Sequence, residues 1–176
     1  MDERCEVGHP PAAGGRTKSM CVLFSALMLA GATLGPLLHA SQWVGASPTA
    51  QTLSGKVVVV DVFTYSCINC KHVVPELRCL RARYDTSDLA IIGIHTPELP
   101  SDRVRSNVLQ NLSLQGITWP VAIDNQNSLW DAYGIEYWPT QMIFDRNGTL
   151  RKTIIGEGHD DEISAIVQSL IDSRGR

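Results

Sequence analysis

Lys56-Val57-Val58-Val59-Val60-Asp61-Val62-Phe63-Thr64-Tyr65-Ser66-Cys67-Ile68-Asn69-Cys70 is the stretch that decides how this chain folds. Its first half is a stiff, β-branched run, which reads as a strand buried on both faces. Downstream, Val73, Leu77, Leu80 and Tyr84 fall on one face of a helix. The two thiols therefore stand at a strand-to-helix junction, spaced so that they can exchange a disulfide. A helix start offers unpaired N–H groups and a partial positive charge, and both favour a thiolate over a thiol.

Outward from this junction the elements alternate. Lys56–Phe63 is a strand, and Cys67–Tyr84 is a helix in which Pro75 removes one hydrogen bond and introduces a kink. Leu89–Ile94 is a second buried strand, ending at His95-Thr96-Pro97. Asp102–Leu114 is polar and helical, and Pro120–Ile123 is a short strand. Asn127–Tyr133 is a short helix closed by Gly134, a residue suited to the position after a helix. Gln141–Phe144 and Leu150–Ile155 flank Asn147-Gly148, a strong hairpin signal. A last helix, capped by Asp160, carries Ile163, Ile166, Val167 and Leu170 on its apolar face. Parallel crossovers followed by an antiparallel hairpin predict an α/β fold with a central mixed sheet flanked by helices.

The 176 residues carry a net charge of −3 and 44% hydrophobic content, enough for one compact domain. No basic cluster accompanies the sequence pI of about 5.9, which argues against nucleic acid as a partner. Arg16 and Lys18 precede an apolar stretch from Met20 to Leu38. That pattern predicts a secretory signal peptide or an uncleaved membrane anchor over residues 1–46, with cleavage points after Ala40 or Ala46. Either form exports the domain, to the periplasm or another extracytoplasmic space, with the anchor holding it at the inner membrane. Residues 47–54 read as a linker and 55–173 as the folded domain. Five cysteines are an odd number, so a full disulfide framework is not expected. Cys5 and Cys21 fall in the leader, and Cys79 is expected as a packed free thiol.

From about Gly55 to Ile171 the chain resembles the thioredoxin superfamily, in its exported TlpA-like branch. Asp61-Val-Phe-Thr-Tyr-Ser-Cys-Ile-Asn-Cys70 looks especially like the thioredoxin-like domain of DipZ-type proteins, as do Gly93–Glu98, Pro120–Asn125, Tyr137-Trp-Pro-Thr140 and Gly156-Glu-Gly158. The resemblance rests on a Cys-x-x-Cys with an Asp six residues before it, a Pro five residues after it and a distant Trp-Pro-Thr. It implies a thioredoxin-like fold with a central insertion over Pro97–Ile123, and a cis peptide before Pro139 in a loop facing the dithiol. It also implies a thiol–disulfide oxidoreductase whose substrates are extracytoplasmic protein disulfides and whose electrons come from a separate membrane thiol reductase. Two positions depart from the pattern: Ser66 stands where thioredoxins carry Trp, and Ile68-Asn69 replaces Gly-Pro. Val73 takes the place of an acid common in cytochrome c maturation reductases.

The expected site follows. Cys67 is the nucleophile and Cys70 the resolving thiol. Asp61, a carboxylate in a valine strand, has a raised pKa and takes or returns the Cys70 proton. Trp138, Pro139 and Thr140 form the shelf for a substrate strand. No organic cofactor is expected, because the Cys67–Cys70 dithiol itself carries two electrons, leaving a redox-active disulfide when it gives them up. A four-residue loop constrains an unfolded chain weakly, so a purely structural staple is the poorer reading. Two other chemistries compete. Thr64-x-x-Cys67 resembles part of a peroxiredoxin site, although Val60 stands where that family has proline. Cys67 and Cys70 with a histidine, His72 or His95, could hold Cu(I) as a copper chaperone does.

Overall fold

The computed structural model describes residues 32–173. Along the chain these form α1 (Gly35–Leu38), β1 (Trp43–Val44), α2 (Ala50–Leu53), β2 (Val57–Phe63), α3 (Ile68–Arg83) and β3 (Leu89–His95). A 3-10 turn (Pro100–Arg103) leads into α4 (Arg105–Leu114), β4 (Val121–Ile123), α5 (Ser128–Tyr133), β5 (Thr140–Phe144), β6 (Leu150–Ile155) and α6 (Asp160–Asp172). The six strands make one sheet in the order β1-β4-β3-β2-β5-β6. β2 runs parallel to β3 and antiparallel to β5, so the valine run is a central strand of a mixed sheet.

Two-residue alternation along β2 sets the layers. Val57, Val59 and Phe63 join the core that includes Leu77 and Leu80 of α3 and Ile163 and Val167 of α6. Val58, Val60 and Val62 join the opposite core with Leu34, Leu37, Leu53, Leu129 and Ile135. Every β2 position is buried, as a strand covered on both faces requires. Asp61 shares the parity of Val59 and Phe63, which puts its carboxyl on the α3 face. Its register partner on β3 is Gly93, where an added Cβ would lie 2.9 Å from the Phe63 ring. Gly134 closes α5 with φ of 62°, a conformation that glycine adopts without steric cost. The mixed sheet flanked by helices, the late hairpin and the α/β class are as expected from the sequence.

The amino-terminal part of the folded unit differs from the expected boundaries. Leu34 and Leu37 are buried in the core on the second face of the sheet. The Tyr133 hydroxyl accepts from Leu37 N at 3.1 Å and donates to Thr33 O at 3.2 Å. β1 pairs antiparallel with β4, and Thr33 bridges Thr149. The stretch read as a linker holds α2, whose start is capped reciprocally by Thr49 and Thr52 and whose Leu53 is buried. An apolar leader and a core-packing segment both present leucines, and periodicity cannot separate them over so few residues. The signal or anchor reading of the residues before 32 lies outside the described residues.

Leu37→Ala is therefore expected to cost about 2–5 kcal/mol, the range for a buried leucine. A chain beginning at Ser41 loses Leu34 as well and should melt lower still. Chemical denaturation of the three proteins measures this; unchanged midpoints would mean that this segment does not belong to the folded unit.

Candidate active site

Cys67 caps the start of α3: its sulfur accepts a hydrogen bond from Cys70 N at 3.3 Å. It is half-buried, Cys70 one turn further on is buried, and both are free thiols. The next side chain, Ile68, is 62% exposed, so the helix start opens to solvent beside Cys67. Burial foremost, then a hydrogen bond to the Cys67 side chain, pushes the Cys70 thiol well above its ordinary range. A backbone hydrogen bond from Thr64 opposes that rise, whereas charge on Cys67 or Asp61 adds to it. Cys70 thus loses its proton only when a nearby group can receive it.

Asp61 lies near enough for its charge to be felt at Cys70. Burial raises its carboxyl from 3.8 to about 7, and the hydrogen bond from Gln141 restrains the rise. Gln141 sits opposite Asp61 in the β2–β5 register, and its Nε2 donates to Asp61 Oδ1 at 3.0 Å. A carboxyl poised near neutrality behind a buried thiol can accept a proton and return it. Gln141 was not singled out from the sequence. A fully buried amide in an otherwise apolar strand is the signal that could have found it.

The Trp138–Pro139 peptide is cis. Val62 pairs with Thr140, so this loop runs beside the turn that leads into Cys67. Thr140 Oγ1 donates to Tyr137 O at 2.7 Å, and Gly156 N donates to Pro139 O at 2.9 Å, which fixes the loop from both sides. Trp138 packs against the core that Cys67 also touches, and its ring lies 4.3 Å from that of Trp130. Tyr137 is 57% exposed. Ile68, next to Cys67 in the chain, gives the helix start an apolar, accessible margin. His72 on α3 bonds Glu157 of the Gly156-Glu157-Gly158 turn, tying the helix start to the same side. Of the expected site residues, Asp61 and Thr140 lie on adjoining strands, Cys67 and Cys70 stand at the helix start that β2 leads into, and Trp138 and Pro139 form the cis peptide just before Thr140.

His95 closes β3 fully buried, with Tyr65 stacked on its ring at 5.7 Å. Its Nε2 accepts from Tyr65 N at 3.4 Å, so the proton is assigned to Nδ1. Burial lowers its pKa to about 4 against the pull of Asp102, so the ring is neutral near pH 7. Among the described residues no three His, Cys, Asp or Glu side chains gather in a way that could hold a metal ion. Cys79 is buried and disulfide-bonded, which corrects the expectation of a free thiol. A single cysteine on a helix face does not reveal its pairing through spacing.

A mixed sheet flanked by helices, with a free dithiol at a helix start and a cis-proline loop beside it, defines a protein of the thioredoxin fold. The family model described as thioredoxin-like matches residues 55–150, and the chain belongs to that family. Protein DipZ of Mycobacterium tuberculosis is 38% identical over 121 residues, covering 69% of this chain and 17% of DipZ. Human NHL repeat-containing protein 2 is 40% identical over 112 residues, covering 63% of this chain and 15% of that protein. The chain thus spans about a sixth of the length of these relatives. A solved thiol-disulfide isomerase from Corynebacterium glutamicum is 28% identical with a TM-score of 0.68, covering 75% of this chain and 92% of that one.

Proposed function

We propose that this protein is an exported thiol–disulfide oxidoreductase that reduces disulfides in extracytoplasmic proteins. The observation that supports the reading is the pairing of a half-buried Cys67 with a buried Cys70 that feels the charge of the buried Asp61. Likeness to the Corynebacterium isomerase supports it.

Cys67 attacks one sulfur of the partner's disulfide as a thiolate; that bond breaks, and the other partner sulfur leaves and takes a proton. Cys70 then gives its proton to Asp61 and attacks the Cys67 sulfur of the mixed disulfide. The partner's remaining sulfur leaves and is protonated in turn. Two electrons have moved to the partner, and a Cys67–Cys70 disulfide remains. During the mixed disulfide, Trp138, Pro139 and Thr140 support the partner's strand. A membrane thiol reductase returns the electrons, so no organic cofactor is required. The basic flank of Arg16 and Lys18 and the apolar residues that follow from Met20 support export, by an anchor at the inner membrane or by a signal cut ahead of the core-packed Leu34. No helix among the described residues is long and apolar enough to cross a membrane.

Equilibration with dithiothreitol or glutathione buffers of graded potential tests the reading. A single reversible two-electron transition is expected, with the mass falling by two hydrogens on oxidation. A value well to the reducing side selects reductase over oxidase. A pair that stays reduced in oxidised glutathione, or that forms no internal disulfide, sinks the proposal.

A further inference from the structure

Asp102 meets the turn that precedes the dithiol from outside the strand–helix junction, on the 3-10 turn that follows β3. Its side chain is fully buried, and one oxygen, Oδ2, collects four donors. These are Ser66 Oγ at 2.8 Å, Leu99 N at 2.9 Å, Thr64 Oγ1 at 3.0 Å and Glu98 N at 3.2 Å. Burial opposes the charge, yet the donors outweigh it and hold the carboxyl below its ordinary range.

What these donors touch gives the arrangement its meaning. Ser66 directly precedes Cys67. Thr64 meets both cysteines through its main chain: its carbonyl accepts from Cys67 N at 3.3 Å, and its backbone hydrogen bond to Cys70 favours the thiolate there. The residue whose backbone meets the Cys67 main chain and the Cys70 sulfur therefore has its side chain pinned from across the fold. The two backbone donors suffice to close the Glu98–Asp102 turn. The hydroxyl contacts bridge 36 and 38 residues and serve the dithiol turn instead. Both hydroxyl protons point at Oδ2, so neither is free to donate to a sulfur. Burying a carboxylate is costly unless hydrogen bonds satisfy it, so losing one of these contacts is felt by the others.

We propose that Asp102 is a positioning residue of the dithiol, which fixes Thr64 and Ser66 and through them the conformation from which Cys67 and Cys70 exchange. This rests on the exchange reading above. Asp102 touches neither sulfur and donates no proton; it acts by geometry.

The test compares wild type with Asp102→Asn, Thr64→Val and Thr64→Ser in three measurements. These are the thermal midpoint, the rate at which the reduced protein reacts with oxidised glutathione, and the equilibrium constant against dithiothreitol. Asp102→Asn should react on the order of tenfold more slowly, as misplaced reacting groups do, and should displace the equilibrium constant. Thr64→Val should reproduce both changes, whereas Thr64→Ser, which keeps the hydroxyl, should restore wild-type values. If Asp102→Asn does not fold, the two Thr64 variants decide alone. Thr64→Val and Thr64→Ser behaving alike in rate and equilibrium overturns the proposal while wild-type exchange leaves the function standing. A wild type that itself fails to react overturns both.

Discussion

Replacing Cys67 with serine is expected to end disulfide exchange, while Cys70→Ser leaves the protein covalently held to its partner. The asymmetry comes from burial. Cys67 is half-buried at the open start of α3, and Cys70 is buried behind it. Only the first sulfur can meet a disulfide carried on another protein. A serine hydroxyl remains protonated at neutral pH and cannot replace a thiolate, so the rate should fall on the order of a thousandfold or more. In Cys70→Ser the attack still happens but the resolving sulfur is gone. Non-reducing electrophoresis of a reaction with a model disulfide protein should show an adduct that dithiothreitol removes. An adduct that accumulates with Cys67→Ser instead would reverse the two roles.

Asp61→Asn is expected to make the protein more stable and less active. The folded carboxyl titrates at about 7 and the unfolded one near 3.8. Between those values the folded state keeps a proton that the unfolded state has lost, so wild-type stability falls as pH rises through that window. Above it the whole penalty is present, on the order of 4 kcal/mol. The amide does not ionise. Asp61→Asn should therefore match wild type near pH 4 and exceed it at pH 8, by up to a few kcal/mol. Exchange should slow in the same variant, because the Cys70 proton has lost its acceptor, and the deficit should fall on release of the mixed disulfide. Melting curves from pH 4 to pH 8 check the first part. Parallel pH profiles in the two proteins would mean that Asp61 carries no such penalty.

Much of this site was open to reading because it is local. A valine run, a dithiol and an amphipathic helix in succession specify a buried strand feeding a helix, and two-residue alternation then aims Asp61 at the helix that carries Cys70. Trp138, Pro139 and Thr140 could be named only through family likeness; the β2–β5 register that brings them alongside is a long-range pairing without a local signature. Asp102 was invisible for the same reason. It lies in a polar stretch, and its partners Thr64 and Ser66 stand 38 and 36 positions away. Leu34 and Leu37 misled in another way, since an apolar leader and a core contact demand the same side chains. Gln141 was hidden by its neighbours, being one polar residue within a strand chosen for its hydrophobicity.

The placement of Cys70 also bears on survival under oxidative stress. Peroxide reaching the accessible Cys67 would leave a sulfenic acid there. The sheltered mate can condense with it, expelling water and leaving the ordinary disulfide, before further oxygen is added. On the proposed activity, injury would thereby become an intermediate of normal turnover, and whatever reductant restores the dithiol would also repair it.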